Sequence, residues 1–204
     1  MIFTDEDLQN IKSAKDAGGE VWTKEILAEV KRKIKLYYRS NGQEVCCYCR
    51  RDLTDEFNMV IDIEHILPKS KYGEYMFELG NLNISCKRCN MRIKKEDDDF
   101  IVDKTSIRLD YSLPEQYYLI HPNFDTYKDN LEDFRIAVNG TKITKYFPKT
   151  EKGRYTYKYF QLKEFEVNSL NSAQGISSQN EEDIASVEIA EEIKKTLEML
   201  LSKL

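Results

Sequence analysis

Cys46-Cys47-Tyr48-Cys49, Ile61-Asp62-Ile63-Glu64-His65-Ile66-Leu67-Pro68 and Cys86-Lys87-Arg88-Cys89-Asn90 are the three stretches on which the reading of this chain turns. Two Cys-x-x-Cys pairs bracket a segment in which an acidic residue stands directly beside a histidine. Two residues between cysteines let both sulfurs turn toward one ion, and two such pairs satisfy tetrahedral Zn²⁺. In a reducing compartment this spacing points to a metal rather than to disulfides. Cys46, Cys49, Cys86 and Cys89 are therefore the expected structural zinc ligands, and Cys47 is left over. The pairs are separated by 36 residues (50–85). That is longer than the roughly 15–20 of an ordinary zinc ribbon, so the insert should have a job.

What the insert adds is chemistry. His65 is one of two histidines in the chain, and a neutral imidazole can take a proton from water near physiological pH. A carboxylate at Glu64 and a side-chain oxygen at Asn90 are hard ligands suited to Mg²⁺. Asn90 follows Cys89 directly, so the second knuckle would fix its position.

Taken in order, the Cys46/Cys49 knuckle, Glu64-His65-Ile66-Leu67-Pro68, Asn81-Leu82, Cys86/Cys89-Asn90 and Lys94 resemble the HNH endonucleases of treble-clef, ββα-metal type. The resemblance covers about a quarter of the chain. It implies that His65 is the general base that activates water. It implies further that Glu64 and Asn90 hold a catalytic Mg²⁺ or Mn²⁺ at a DNA phosphate, and that Asn81 braces the loop between the strands. Glu64 stands where Asp is commoner. Asn90 stands where the family also uses His, a choice that favours Mg²⁺ over softer metals. The alternative is a non-catalytic zinc treble clef that binds nucleic acid; the acid-His-Asn set favours the nuclease.

The net charge of −5 conceals a division. Residues 31–95 hold 14 Lys/Arg against 8 Asp/Glu, a balance of +6, while the remainder is at −11. Phosphate binding needs a local positive field, not a basic protein. Lys69, Lys71, Arg88, Arg92, Lys94 and Lys95 are the candidate nucleic-acid contacts. No stretch approaches the roughly 20 apolar residues of a membrane span, and the first residues lack the basic and apolar run of a secretory signal. The expected location is the cytoplasm.

The expected fold class is α+β. A zinc-stapled treble-clef core over 43–100 follows an N-terminal helical segment over 1–42. After the core come a mixed segment with a β-meander over 101–170, a polar linker over 171–180 and an amphipathic helix over 181–204. Thr4 caps a first helix through Lys15, stopped by Gly18-Gly19. Thr23 caps a second helix through Ile26, Val30 and Ile34. The outer face of that helix, Lys31, Arg32, Lys33, Lys35 and Arg39, is either simply solvated or tracks phosphates. A short hairpin is expected over 52–66, then a connecting loop over 69–85 and a helix from Cys86. Alternation puts Asp62 and Glu64 on one face. Asp62 is thus a candidate second carboxylate, with an ordinary exposed strand residue as the simpler reading.

Within the meander, residues 134–138 meet 141–146 across Asn139-Gly140, a dipeptide suited to a type I′ turn. Tyr155, Tyr157 and Tyr159 alternate as in a half-buried strand. His121-Pro122-Asn123-Phe124-Asp125 resembles stretches downstream of HNH modules in bacterial defence proteins of the retron and Septu kind. Those nucleases act beside an ATPase partner, so the resemblance implies one here. His121 itself reads as a structural turn residue outside the catalytic set. The terminal stripe Ile184, Val187, Ala190, Ile193, Leu197, Leu200 and Leu204 packs on its own protein, on a partner or on a second copy.

Overall fold

The computed structural model describes residues 2–41, 44–54, 56–57, 59–138 and 141–166, with the side chains of 136–138 and 141–143 left undescribed. The Asn139-Gly140 turn, the linker over 171–180 and the helix over 181–204 lie outside the described residues. The chain divides into two units, one of Met1–Ile136 with Ile143–Val167 and one of Ala137–Lys142 with Asn168–Leu204. Apart from the hairpin ends at 137–138 and 141–142, everything that follows belongs to the first. The class is α+β, with short helices around two small antiparallel sheets.

Helix α1 (Asp5–Asp16) starts at Thr4 because a reciprocal pair of bonds satisfies its free amides. The Asp7 amide donates to the Thr4 hydroxyl at 3.3 Å and the Thr4 amide donates to the Asp7 carboxylate at 2.7 Å. Such a capping box removes two of the unsatisfied donors at a helix start. Gly18 and Gly19 follow with φ of +61° and +68°, a region that favours glycine. Helix α2 spans Ala28–Asn41 and is preceded by two short 3₁₀ turns, Val21–Thr23 and Glu25–Leu27. Thr23 does not cap it. Its hydroxyl donates to the Glu20 carbonyl at 2.8 Å, and a separate 3₁₀ turn stands between it and the start of α2 at Ala28. Leu27, Val30 and Ile34 are fully buried and pack with Ile11, Ala14, Phe77 and Leu82. This cluster seats α1 and α2 beside strands β1 (Ile61–His65) and β2 (Leu82–Cys86).

The metal core is built on β1 and β2, paired antiparallel with Ile61 opposite Cys86 and His65 opposite Leu82. The partner of β1 therefore comes from residues expected to be loop, and the hairpin expected over 52–66 is not formed. Asp52 instead bridges back to Val45 and closes the first knuckle. After Cys86 the chain winds through Arg88–Lys94 as a π-helix, and the Lys95 amide reaches back five residues to the Asn90 carbonyl at 2.7 Å. Such wide turns are rare and concentrate at functional sites.

Residues from 100–135 and 144–165 pack on this core. Phe100, Tyr117, Leu119, Ile120, Leu131 and Phe160 join Tyr48 and the cysteines in one apolar cluster. Tyr127 Oη donates to the Tyr48 carbonyl at 2.9 Å and Tyr146 Oη to the Cys49 carbonyl at 2.7 Å. A short helix α3 (Tyr127–Asn130) leads into strands β3 (Leu131–Val138) and β4 (Thr141–Pro148), which pair with each other.

The expected third strand of the meander is a helix, α4 (Glu151–Tyr159). Thr150 caps it through the Gly153 amide at 3.1 Å, and the Ile120 amide donates to the buried Thr156 hydroxyl at 2.8 Å. The tyrosines read as alternating are one helical turn apart at Tyr155 and Tyr159, with ring centroids 5.8 Å apart. Helix capping outweighs the β preference of the rings. Gly153 sits where a Cβ would stand 2.0 Å from the Asn130 carbonyl oxygen, a backbone atom. On an open helix Gly→Ala would stabilise by about 1 kcal/mol. Here Gly153→Ala is expected to cost about 1–3 kcal/mol, read from the urea midpoint; a gain would refute this packing of α4.

Candidate active site

The sulfurs of Cys46, Cys49, Cys86 and Cys89 all lie within 4.8 Å of one another, and all four residues are buried. Cys49 and Cys86 Sγ are 3.8 Å apart. Sulfurs placed tetrahedrally at about 2.3 Å from a Zn²⁺ would have the same separation, about 3.8 Å. The donor set therefore fits a metal ion. In the first knuckle the Cys46 amide donates to the Arg51 carbonyl and the Arg50 amide to the Cys46 carbonyl, each at 2.9 Å, with Arg50 at φ +57° in the turn. The second knuckle joins the end of β2 to the π-helix. Cys47 is outside the tetrad, and its amide ties the first knuckle to β2 through Ile84 at 3.0 Å.

A cleft of about 640 Å³ opens over the end of β1. His65 lies in it, mostly covered. Its Nε2 is 3.1 Å from the Met76 carbonyl oxygen. A carbonyl only accepts, so Nε2 carries the proton and the neutral ring keeps its lone pair on Nδ1. Burial, with the positive charge of Lys69 second, pushes the His65 pKa down to about 3, so the ring stays neutral across the physiological range. Asn90 and Asp62 line the same cleft, and the Asn90 amide donates to the Asp62 carboxylate at 3.2 Å. Lys87 also pairs with Asp62, at 2.9 Å. Two oxygen-bearing side chains in one cleft with a neutral imidazole are a donor set that suits a hard divalent ion.

Glu64 is placed elsewhere. It is fully buried, paired with Lys94 at 2.8 Å, and it accepts from Tyr48 Oη at 3.1 Å. Burial pushes its pKa up, and Lys94 and Tyr48 pull it back. The structure thus brings Asn90 together with Asp62, and not with Glu64 as the sequence suggested. The physical reason is Lys94. Its ammonium is also buried and donates to the His65 carbonyl at 2.8 Å, and a buried cation needs an anion beside it. Glu64 and Lys94 consequently hold the backbone of His65 from behind.

Asn81 is buried beneath the loop after His65. Its side chain accepts from the Leu67 amide at 2.7 Å and donates to the carbonyls of Leu67 at 3.2 Å and Tyr75 at 3.1 Å. Among the residues expected to meet nucleic acid, Lys69 and Lys95 line the cleft and Arg92 is exposed. Lys71 pairs with Asp98 at 2.7 Å. Arg88 is spent on the Phe160 and Gln161 carbonyls and on Glu164. Arg88 and Lys94 are thus structural, because their charges are taken up inside the protein.

His121 is fully buried, stacked on Phe124 at 4.2 Å, and its Nδ1 accepts from the Asn123 amide at 3.2 Å. Asn123 in turn donates to the carbonyls of Gly80 at 2.8 Å and Leu82 at 2.7 Å, pinning the turn that carries Asn81. Sequence reasoning missed this role. It also missed Trp22, whose ring meets that of His65 edge-on with centroids 4.4 Å apart. Trp22 belongs to no spaced motif, and the His121–Asp125 stretch carries no signal of the contacts Asn123 makes.

The family model of the HNH endonucleases matches residues 46–96. This stretch is similar to an HNH domain. Both knuckles, β1, β2 and the π-helix fall inside the match, whereas α1, α2 and the segment from 97 onward lie outside it. The chain is also 28% identical over 141 residues to the Septu protein PtuB of Bacillus thuringiensis. That alignment takes in 69% of this chain and 43% of the relative, so the chain spans less than half the length of the protein it matches. No solved structure matches the chain. Among the described residues no helix is long and apolar enough to cross a membrane.

The buried pair predicts an asymmetric cycle. Lys94→Met leaves the Glu64 charge buried alone and should cost about 3–5 kcal/mol, while Glu64→Gln with Lys94→Met should recover most of it. Equal losses in the single and double variants, by urea unfolding, would contradict the pairing. His121 predicts a pH effect, because burial pushes its pKa down to about 3. The unfolded ring binds a proton below about pH 6.5 and the native ring does not. Its contribution is therefore complete above pH 6.5 and is lost as pH falls, by about 1.4 kcal/mol per unit. Replacing His121 with Gln should reduce the slope of stability against pH between 5 and 6.5 by that amount; an unchanged slope would show that His121 is protonated in the folded protein.

Proposed function

We propose that this chain is a divalent-metal-dependent endonuclease that hydrolyses DNA phosphodiester bonds. The observation that carries this reading is the cleft itself. A neutral imidazole with a fixed tautomer shares it with an Asp-Asn pair under a predominantly basic wall. Asp62 and Asn90 would hold Mg²⁺ or Mn²⁺, and the ion, when bound, would stabilise charge on the phosphoryl and leaving oxygens. Nδ1 of His65 takes the proton of the attacking water. Met76 holds the opposite nitrogen, so the acceptor needs no tautomer change. Glu64, through Lys94 and the His65 carbonyl, fixes the strand from which the imidazole projects. Asn81 holds the following loop in place. Lys69 and Lys95 supply positive charge to the phosphate backbone.

The cysteine tetrad is assigned a structural Zn²⁺, worth ~10–16 kcal/mol of folding in small sites. The similarity to a Septu protein supports a role in bacterial anti-phage defence; this reading places the protein in the cytoplasm beside an ATPase partner. A second copy of the chain, each with one cleft, would let a duplex be cut on both strands.

Plasmid nicking tests the reading. Purified protein should nick only with Mg²⁺ or Mn²⁺, and His65→Ala should lose about 10²-fold or more while retaining one zinc per chain. Asp62→Asn should lose metal-dependent activity with zinc unchanged. Equal nicking by wild type and His65→Ala would refute the assignment.

A further inference from the structure

The cleft over His65 is not made by the HNH domain alone. One wall comes from the 3₁₀ turn Val21–Thr23 and from α2, both outside residues 46–96. Trp22, Lys31 and Lys35 line that wall, facing Lys69 and Lys95 on the HNH side. Among the described residues that line the cleft, five are Lys or Arg and two, Asp62 and Glu96, are acidic. The excess of positive charge thus straddles two parts of the chain.

The geometry of this wall is organised. Trp22 meets His65 edge-on at 4.4 Å between centroids and at 82°, and Phe77 backs it at 5.6 Å. With the Met76 carbonyl bonded to Nε2, the imidazole is held through an edge and a face. Lys31 donates to the Trp22 carbonyl at 3.2 Å and so ties the turn to the helix. Lys31 and Lys35 are four apart and project from one side of α2. Their neighbours on the helix are engaged differently: Arg32 pairs with Glu29, and Lys33 turns back to the buried Asp7 at 2.5 Å. The buried residues Leu27, Val30 and Ile34 fix the rotation of the helix that sends Lys31 and Lys35 to the cleft. On the opposite rim Lys95 has φ +53° and ψ −124°, a strained conformation for a side-chain-bearing residue of the kind that clusters at functional sites.

We propose that this N-terminal wall completes the active centre: Trp22 is a positioning residue for His65, and Lys31 and Lys35 bind the nucleic-acid backbone flanking the scissile phosphate. The proposal rests on the nuclease reading and assigns it a substrate wall outside the HNH domain. An edge-on indole restricts ring rotation without bonding to the imidazole nitrogens, so Nδ1 stays available. The two lysines give the backbone a second line of positive charge opposite Lys69 and Lys95.

Two measurements test it. The first is binding of a 20-base-pair DNA duplex in Ca²⁺ across a salt series, in the His65→Ala background. Each lost phosphate contact lowers the slope of log K against log salt by about 0.9. Lys31→Glu with Lys35→Glu should lower it by about 2, while Lys163→Glu, exposed and not in the cleft lining, should leave it unchanged. The second is single-turnover cleavage with His65 present. Trp22→Ala should slow the step by about tenfold or more without changing duplex affinity, and Trp22→Phe should recover most of the rate. An unchanged salt slope in the lysine pair would overturn the backbone assignment. A Trp22→Phe rate no better than Trp22→Ala, at equal melting temperatures, would overturn the positioning role. Wild-type protein that binds with the expected slope yet never cleaves would defeat the nuclease reading and leave the lysine wall standing.

Discussion

The arrangement depends on four sulfurs being brought to one point. Cys46 and Cys49 come from a knuckle, Cys86 from the end of β2 and Cys89 from the π-helix. Their convergence closes a long insert on itself. It also fixes the two neighbours that matter: β1, paired to β2 in register, and Asn90, one residue past the last sulfur. The apolar cluster around Tyr48, Phe100 and Phe160 covers the tetrad from the outer side. Burial of this size is ordinary for a small domain. Its placement makes the site a rigid extension of the metal core.

Rigidity at His65 has three independent sources. Its carbonyl is held by the Lys94 ammonium, its Nε2 by the Met76 carbonyl and its ring by Trp22. The Glu64–Lys94 pair is the costly one, because two charges must leave water. It repays that cost in position, since Lys94 spans the π-helix and β1 at the point where the imidazole leaves the strand. A further relay reaches the same loop from the C-terminal side, through His121, Asn123 and Asn81. Among the described residues, those after 96 thereby buttress a cleft whose lining they do not join.

Much of this was legible in the residues, and the gaps have physical reasons. Cysteine spacing is legible because ligation chemistry dictates it, and the position of His65 because motif order accompanies it. The α1 cap at Thr4 is a local bond and was readable as one. Strand β2 was not, because five residues with polar Asn83 and Ser85 among them look the same in a loop until a partner strand is given. Helix α4 was hidden by tyrosines whose spacing suits either period; the Thr150 cap and the close approach of Gly153 to Asn130 decide it. Glu64 was assigned to the ion from motif position, yet no sequence signal announces that Lys94 is buried and needs it. Trp22 reaches His65 only through tertiary packing, so no local pattern could reveal it.

The most direct test is where a divalent ion sits. Anomalous scattering from crystals of the His65→Ala protein soaked in Mn²⁺ would separate the two metal positions by element. Zinc is expected at the four sulfurs and manganese at the oxygens of Asp62 and Asn90, with Glu64 still paired to Lys94. Manganese bound to Glu64, with Lys94 displaced, would contradict this assignment.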